Sequence, residues 1–189
     1  MEIRFDHVSK RYGDKTVLSG LDWRVQAGET WRVEGPSGAG KTTLLRLLLG
    51  LEHPSAGRID RPYSVRFAPV FQENRLIPRL SAVQNIALTC DAPDDEICTA
   101  LAEVGLTADD LAQAAATLSG GMQRRAAIVR ALLAPSDFLV LDEPFSGLDT
   151  DNIARVLACI NRRRASRGLI FVSHERYDAF SGAKCLRLP

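Results

Sequence analysis

The sequence predicts an α/β fold: a mostly parallel sheet covered by helices on both faces, with an antiparallel β-subdomain at the N-terminus and a small helical subdomain in the middle. Three observations carry that expectation. Short apolar runs alternate with helix-period stretches along most of the chain. The N-terminal residues alternate apolar and polar side chains with period two, and residues 82–116 are alanine-rich with Ala, Leu and Val at three-to-four spacing. A chain of 189 residues can bury one good core, so a single domain is expected.

Taken in order, residues 3–8 and 17–25 alternate around the turn-like Tyr12-Gly13-Asp14, as half-buried antiparallel strands do. A turn at Ala27-Gly28-Glu29 leads into a strand at 30–34, a glycine-rich loop and a helix over about 41–49. A strand at 65–70 runs into Phe71-Gln72-Glu73, and the helical lobe of 82–116 has breaks near Pro93 and Gly105. After a loop at Leu118 a helix runs to about Leu133; the apolar strand 138–141 then ends in Asp142-Glu143-Pro144. A helix at 150–166 and strands at 169–173 and 185–188 complete the pattern. Residues 1–71 and 134–189 are expected to form the core with its antiparallel β-subdomain, and 72–133 the helical subdomain. Arg32 and Glu34 interrupt the strand before the glycine loop, so either they pair or that strand is less buried than its neighbours.

Charge is balanced, with 24 Lys and Arg against 23 Asp and Glu, which leaves no electrostatic footprint for nucleic acid. The triple Arg162-Arg163-Arg164 reads as the solvated face of a helix. Cys90, Cys98, Cys159 and Cys185 are scattered without metal-ligand spacing, so free thiols in a reducing compartment are expected. The start, Met1-Glu2-Ile3-Arg4, has no signal-peptide pattern, and Arg46 interrupts the most apolar helical run. A cytosolic chain follows, with any membrane role coming through a partner.

The chemistry concentrates in three places. Gly35-Pro36-Ser37-Gly38-Ala39-Gly40-Lys41-Thr42 fits the G-x-x-x-x-G-K-[ST] pattern, between a strand and a helix as that pattern requires, and Thr43 continues the helix's first turn. Small residues let the backbone wrap a polyphosphate, Lys41 supplies a compact positive charge, and the Thr42 hydroxyl can ligate magnesium. Asp142 and Glu143 sit where a buried strand emerges beside that loop, which suggests divided labour: Asp142 to hold magnesium, Glu143 to orient or deprotonate an attacking water. Leu118-Ser119-Gly120-Gly121-Met122 is a second loop of bare backbone that opens a helix, and so offers free N–H groups to an anion. His7 and His53 belong to no such pattern.

In this order, and over nearly the whole chain, the motifs resemble the nucleotide-binding domain of an ATP-binding cassette (ABC) transporter. The resemblance implies the P-loop NTPase core of an ABC ATPase, with ATP and Mg2+ as ligands. It implies that Tyr12 stacks on adenine, that Gln72 is the glutamine loop sensing magnesium and γ-phosphate, and that His174 is the switch histidine contacting the γ-phosphate. Asp149, in Ser146-Gly147-Leu148-Asp149, matches the loop through which two copies communicate. Two copies are expected head to tail, each ATP lying between one chain's glycine loop and the partner's Ser119, Gly120 and Gly121. The implied setting is a separate ATPase subunit of a bacterial importer, held on the inner face of the cell membrane by permease subunits, with an extracytoplasmic solute-binding protein in the same system. The run from Val70 to Pro78 resembles subunits serving small-anion uptake, such as nitrate, sulfonate or taurine. No regulatory extension is expected after His174, and an exporter or lipoprotein-release subunit or a soluble iron–sulfur-assembly ATPase remain the alternatives.

Overall fold

The computed structural model describes residues 1–173, 175 and 177–189. Its centre is a five-stranded sheet of spatial order β5 (Phe67–Val70), β6 (Phe138–Asp142), β7 (Gly168–Val172), β3 (Thr30–Glu34) and β8 (Lys184–Arg187). All neighbouring pairs in it are parallel, which requires crossover connections and covered faces. Alternation shows the covering directly: Phe138, Val140, Ile170 and Val172 pack to one side, and Leu139, Leu141, Leu169 and Phe171 to the other.

The first side is closed by α1 (Lys41–Leu49) and by an antiparallel sheet in which β1 (Glu2–Tyr12) lies between β2 (Lys15–Gln26) and β4 (Ala56–Asp60). Its core includes Ile3, Phe5, Trp23, Val25, Leu44 and Leu48. The second side is closed by α2 (Ala82–Ala87), α3 (Asp94–Glu103), α5 (Gly120–Leu133) and α6 (Thr150–Arg163), with the short α4 (Ala108–Leu111) at the edge.

Most expected elements fall where the sequence puts them, and the N-terminal hairpin is longer than expected. The strand expected at 65–70 starts at Phe67, the helix expected at 150–166 ends at Arg163, and β4 was not foreseen. Arg32 and Glu34 do pair, and the strand is buried all the same: Arg32 is 8% exposed and bonds Glu34, which also meets Arg187 at 3.3 Å. The arginine triple is a correction. Arg162 is exposed, but Arg163 is half-buried and its Nε and Nη2 donate to the two Glu103 carboxylate oxygens at 2.9 and 2.8 Å, tying α6 to α3. Arg164 in turn donates to Thr30 Oγ1. Opposite charge on the helical lobe recruits Arg163, and a hydroxyl on β3 recruits Arg164, which a reading of α6 alone cannot reveal. Among the described residues no helix is long and apolar enough to cross a membrane.

Candidate functional site

The site lies beyond the C-terminal ends of the parallel strands, where open α/β sheets present their loops. β7 separates β3 from β6, so the glycine loop after β3 and the acids at the end of β6 flank the end of β7. An open cleft of about 300 Å³ there is lined by Lys15, Val17, Ser37, Gly38, Gly40, Lys41, Thr42, Thr43, Gln72 and Glu143. The structure therefore brings together the glycine loop, Gln72 and Glu143, which are far apart in sequence.

Within the loop, Gly40 caps α1 with φ of 89°, and a Cβ there would come within 2.7 Å of Val17 on β2. Only glycine suits both the backbone and that close approach. Lys41 is 8% exposed, and its ammonium donates to the carbonyls of Gly35 and Pro36, both at 2.8 Å. It thus stands over the loop that would wrap a polyphosphate, held by two neutral acceptors that an anionic oxygen would outbid.

Thr42 Oγ1 donates to Asp142 Oδ2 at 3.0 Å, which joins the two expected magnesium ligands. Asp142 is 3% exposed, and its Oδ1 is buried without a hydrogen-bond partner among the described residues. Burial, the dominant influence, pushes its carboxyl above the usual range; the Glu143 charge adds to this, while the Thr42 bond and the Arg124 and Lys41 charges oppose it. A buried carboxylate oxygen without a donor is costly, and a divalent cation is one species that relieves it. Thr42 and Asp142 thus fit magnesium. Gln72, the third expected ligand, is exposed on the cleft wall.

Glu143 takes φ of 49°, a left-handed conformation that costs a non-glycine residue about 1–3 kcal/mol and persists only where surroundings enforce it. The enforcing group was missed in the sequence: Arg124, 4% exposed on α5, donates from Nη2 to the carbonyls of Asp142 at 2.9 Å and Glu143 at 2.7 Å. A signal existed, since Arg124 lies four and seven positions before Ile128 and Ala131, on the buried stripe of its helix.

Ser119, Gly120, Gly121, Tyr12 and Asp149 do not line the cleft. Ser119 caps α5, its side chain accepting from the Met122 N–H at 3.3 Å. Ser119 and Gly120 are exposed, a Cβ on Gly120 would meet nothing within 4 Å, and neither they nor Gly121 line the cleft. Tyr12 is 44% exposed at the hairpin turn; its hydroxyl donates to Glu52, and Lys10 Nζ sits 5.0 Å from the ring centre. Asp149 caps α6, accepting from the Asn152 N–H and amide, both at 2.8 Å, and these bonds draw its carboxyl below the usual range. Gly35, Pro36 and Ala39 complete the loop, and His174 lies outside the described residues.

A glycine-loop strand and helix, flanking acids and a helical lobe on a parallel sheet define a P-loop nucleotide-binding cassette. The family described as ABC transporter matches residues 18–146, and the chain belongs to it. The aliphatic sulfonates import ATP-binding protein SsuB 2 of Burkholderia cenocepacia is 40% identical over 193 aligned positions, covering 95% of this chain and 70% of that protein. The corresponding SsuB 3 of Rhodococcus jostii is 45% identical over 152 positions, covering 79% of this chain and 56% of that one, so the chain spans little more than half of that relative. In fold, it matches a possible ABC transporter ATP-binding protein of Pyrococcus furiosus with a TM-score of 0.86 at 25% identity, over 100% of this chain and 98% of that one. A dimeric ATP-binding cassette bound to ADP and Pi matches in fold with a TM-score of 0.82 at 22% identity, over 98% of this chain and 94% of that one.

Proposed function

We propose that this chain binds and hydrolyses ATP as one half of a dimer that closes around two nucleotides and drives a small solute through a partner permease. The observation that carries the proposal is the junction of Lys41, the Thr42–Asp142 pair, Gln72 and Glu143 around one cleft. Residues 72–133 serve as its helical subdomain.

The chemistry follows from that cleft. Lys41 transfers its ammonium from the Gly35 and Pro36 carbonyls to the outer phosphates, and the amides of Gly38 to Thr43 cradle them. Thr42 and Asp142 would hold Mg2+, which when bound with ATP would offset the charge on the phosphate oxygens. Gln72 and Glu143 position a water; Glu143 accepts its proton as the water oxygen bonds to the γ-phosphorus and the bridging oxygen departs with ADP. By the family resemblance His174 contacts the γ-phosphate, and Tyr12 supports adenine.

Ser119 and Gly120 are exposed at the start of α5, and neither they nor Gly121 line this cleft, which supports their use on the partner's nucleotide across a two-fold interface, with Asp149 near the junction. The dimeric state named for the ADP- and Pi-bound cassette supports the same arrangement. Hydrolysis then weakens the contacts that hold the dimer closed, which converts chemistry into timed opening.

Import of a small anion is favoured because relatives at 40% and 45% identity are named aliphatic sulfonates import ATP-binding proteins. A bacterial exporter with ATP bound also matches in fold, but at 27% identity and over only 37% of its length. The subunit would sit on the cytoplasmic membrane face through its permease, with a solute-binding protein delivering substrate. Purification from detergent-solubilised membranes tests this: a co-purifying multi-span protein supports transport, and a soluble partner alone refutes it.

A further inference from the structure

We infer that Arg124 is a positioning residue for ATP hydrolysis, fixing the spacing between the glutamine loop and the Glu143 carboxylate and tying both to the helix that begins with the signature loop. This rests on the proposed role of Glu143 as the base.

The two edges of the guanidinium are used on two different loops. Nη1 donates to the Phe71 carbonyl, to the Gln72 carbonyl at 3.3 Å and to Asn74 Oδ1 at 3.4 Å; Nη2 donates to the Asp142 and Glu143 carbonyls. A guanidinium is planar and rigid, so acceptors bound to its two terminal nitrogens are held at a limited separation. That matters here because the β5–β6 ladder ends at the pair Val70 and Leu141. Beyond that pair, Phe71-Gln72 and Asp142-Glu143 have no strand pairing with each other, and Arg124 takes over where the ladder stops.

The same helix braces the glutamine loop again further along. Arg130 on α5 donates to the Asn74 carbonyl at 3.0 Å and the Arg75 carbonyl at 2.7 Å, and Arg75 itself has φ of 49°. Arg124 lies little more than one helical turn from Ser119, so a shift at the exposed start of α5 is passed directly to both loops of the chain's own cleft. In a closed dimer, contact of that helix start with the partner's nucleotide would therefore set Gln72 and Glu143 on its own.

A lysine at this position keeps the charge and most of the volume but cannot span both edges. Arg124→Lys should lower kcat by about 10²-fold, the cost of displacing a reacting group by roughly an ångström, while ATP affinity holds and the melting temperature falls only modestly. Arg124→Ala should lose at least as much; if it fails to fold, the lysine variant still decides. In a Glu143→Gln background, Arg124→Lys should cost little further turnover, because the carboxylate it positions is gone.

Steady-state ATPase assays, fluorescent-nucleotide binding and melting curves on the four proteins read this out. An Arg124→Lys enzyme with unchanged kcat overturns the inference. So does a loss that tracks weakened ATP binding, or one that adds in full to that of Glu143→Gln. Failure of the underlying assignment looks different: Glu143→Gln would then itself keep its turnover.

Discussion

Two helix starts in this molecule offer the same physics and meet different surroundings. At α1 the glycine loop is backed by β2, Lys41 bonds to two of the loop's carbonyls, and Thr42 reaches Asp142. At α5 Ser119 caps the helix, yet Gly120 stands exposed with open space where a side chain would be. Both present bare amides and the positive end of a helix dipole to an anion. One is backed within the chain and the other is open to solvent, which is what the proposed composite site shared by two copies requires.

The sharpest way to break the comparison is through Glu143, the acid proposed to act in the chemical step. Glu143→Gln should lower kcat by about 10²–10⁴-fold, the range for a general base, with ATP binding retained. A mutant turning over at the wild-type rate would remove Glu143 from the site. Lys41→Ala tests the first helix start: losing a charge-assisted contact of about 1.5–3 kcal/mol should weaken ATP binding by about one to two orders of magnitude in equilibrium titration.

Stability separates the two starts next. Gly40→Ala forces a Cβ against Val17 at positive φ and should destabilise the fold by about 1–3 kcal/mol in chemical unfolding. Gly120→Ala meets nothing and should be neutral or gain up to about 1 kcal/mol. If both cost the same, the two helix starts do not differ as described.

The smallest effect concerns the lobe that carries the second start. The Glu103 carboxyl lies at about 2, below its ordinary 4.5, chiefly because Arg163 bonds it and thereby ties α3 to α6. With the folded value depressed, its contribution is complete above about 4.5 and fades as pH falls towards 2. Acid unfolding of Glu103→Gln should accordingly show a shallower loss of stability over that window.

The sequence was legible where function depends on local pattern. Gly35 to Thr42 and Leu118 to Met122 announce helix starts by their own residues, and the apolar run before Asp142 marks a strand with both faces buried. It was opaque where a partner far along the chain decides. β4 offers only Ile59 as a large apolar residue and is a strand because β1 supplies its ladder. Arg163 looked solvated until Glu103 came to meet it, and Arg124 looked like one more helical charge until two loops, some fifty and twenty residues away, converged on it. Short-range periodicity cannot report such encounters.

The composite site can be tested directly by measuring the mass of Glu143→Gln by light scattering as ATP is added, alone and combined with Gly120→Asp. The single variant should pass from monomer to dimer on binding ATP; the double variant, carrying a negative charge at the exposed helix start, should still bind ATP and stay monomeric. A double variant that dimerises as readily as the single one, or an ATP-saturated Glu143→Gln that remains monomeric, would contradict a nucleotide shared between two chains.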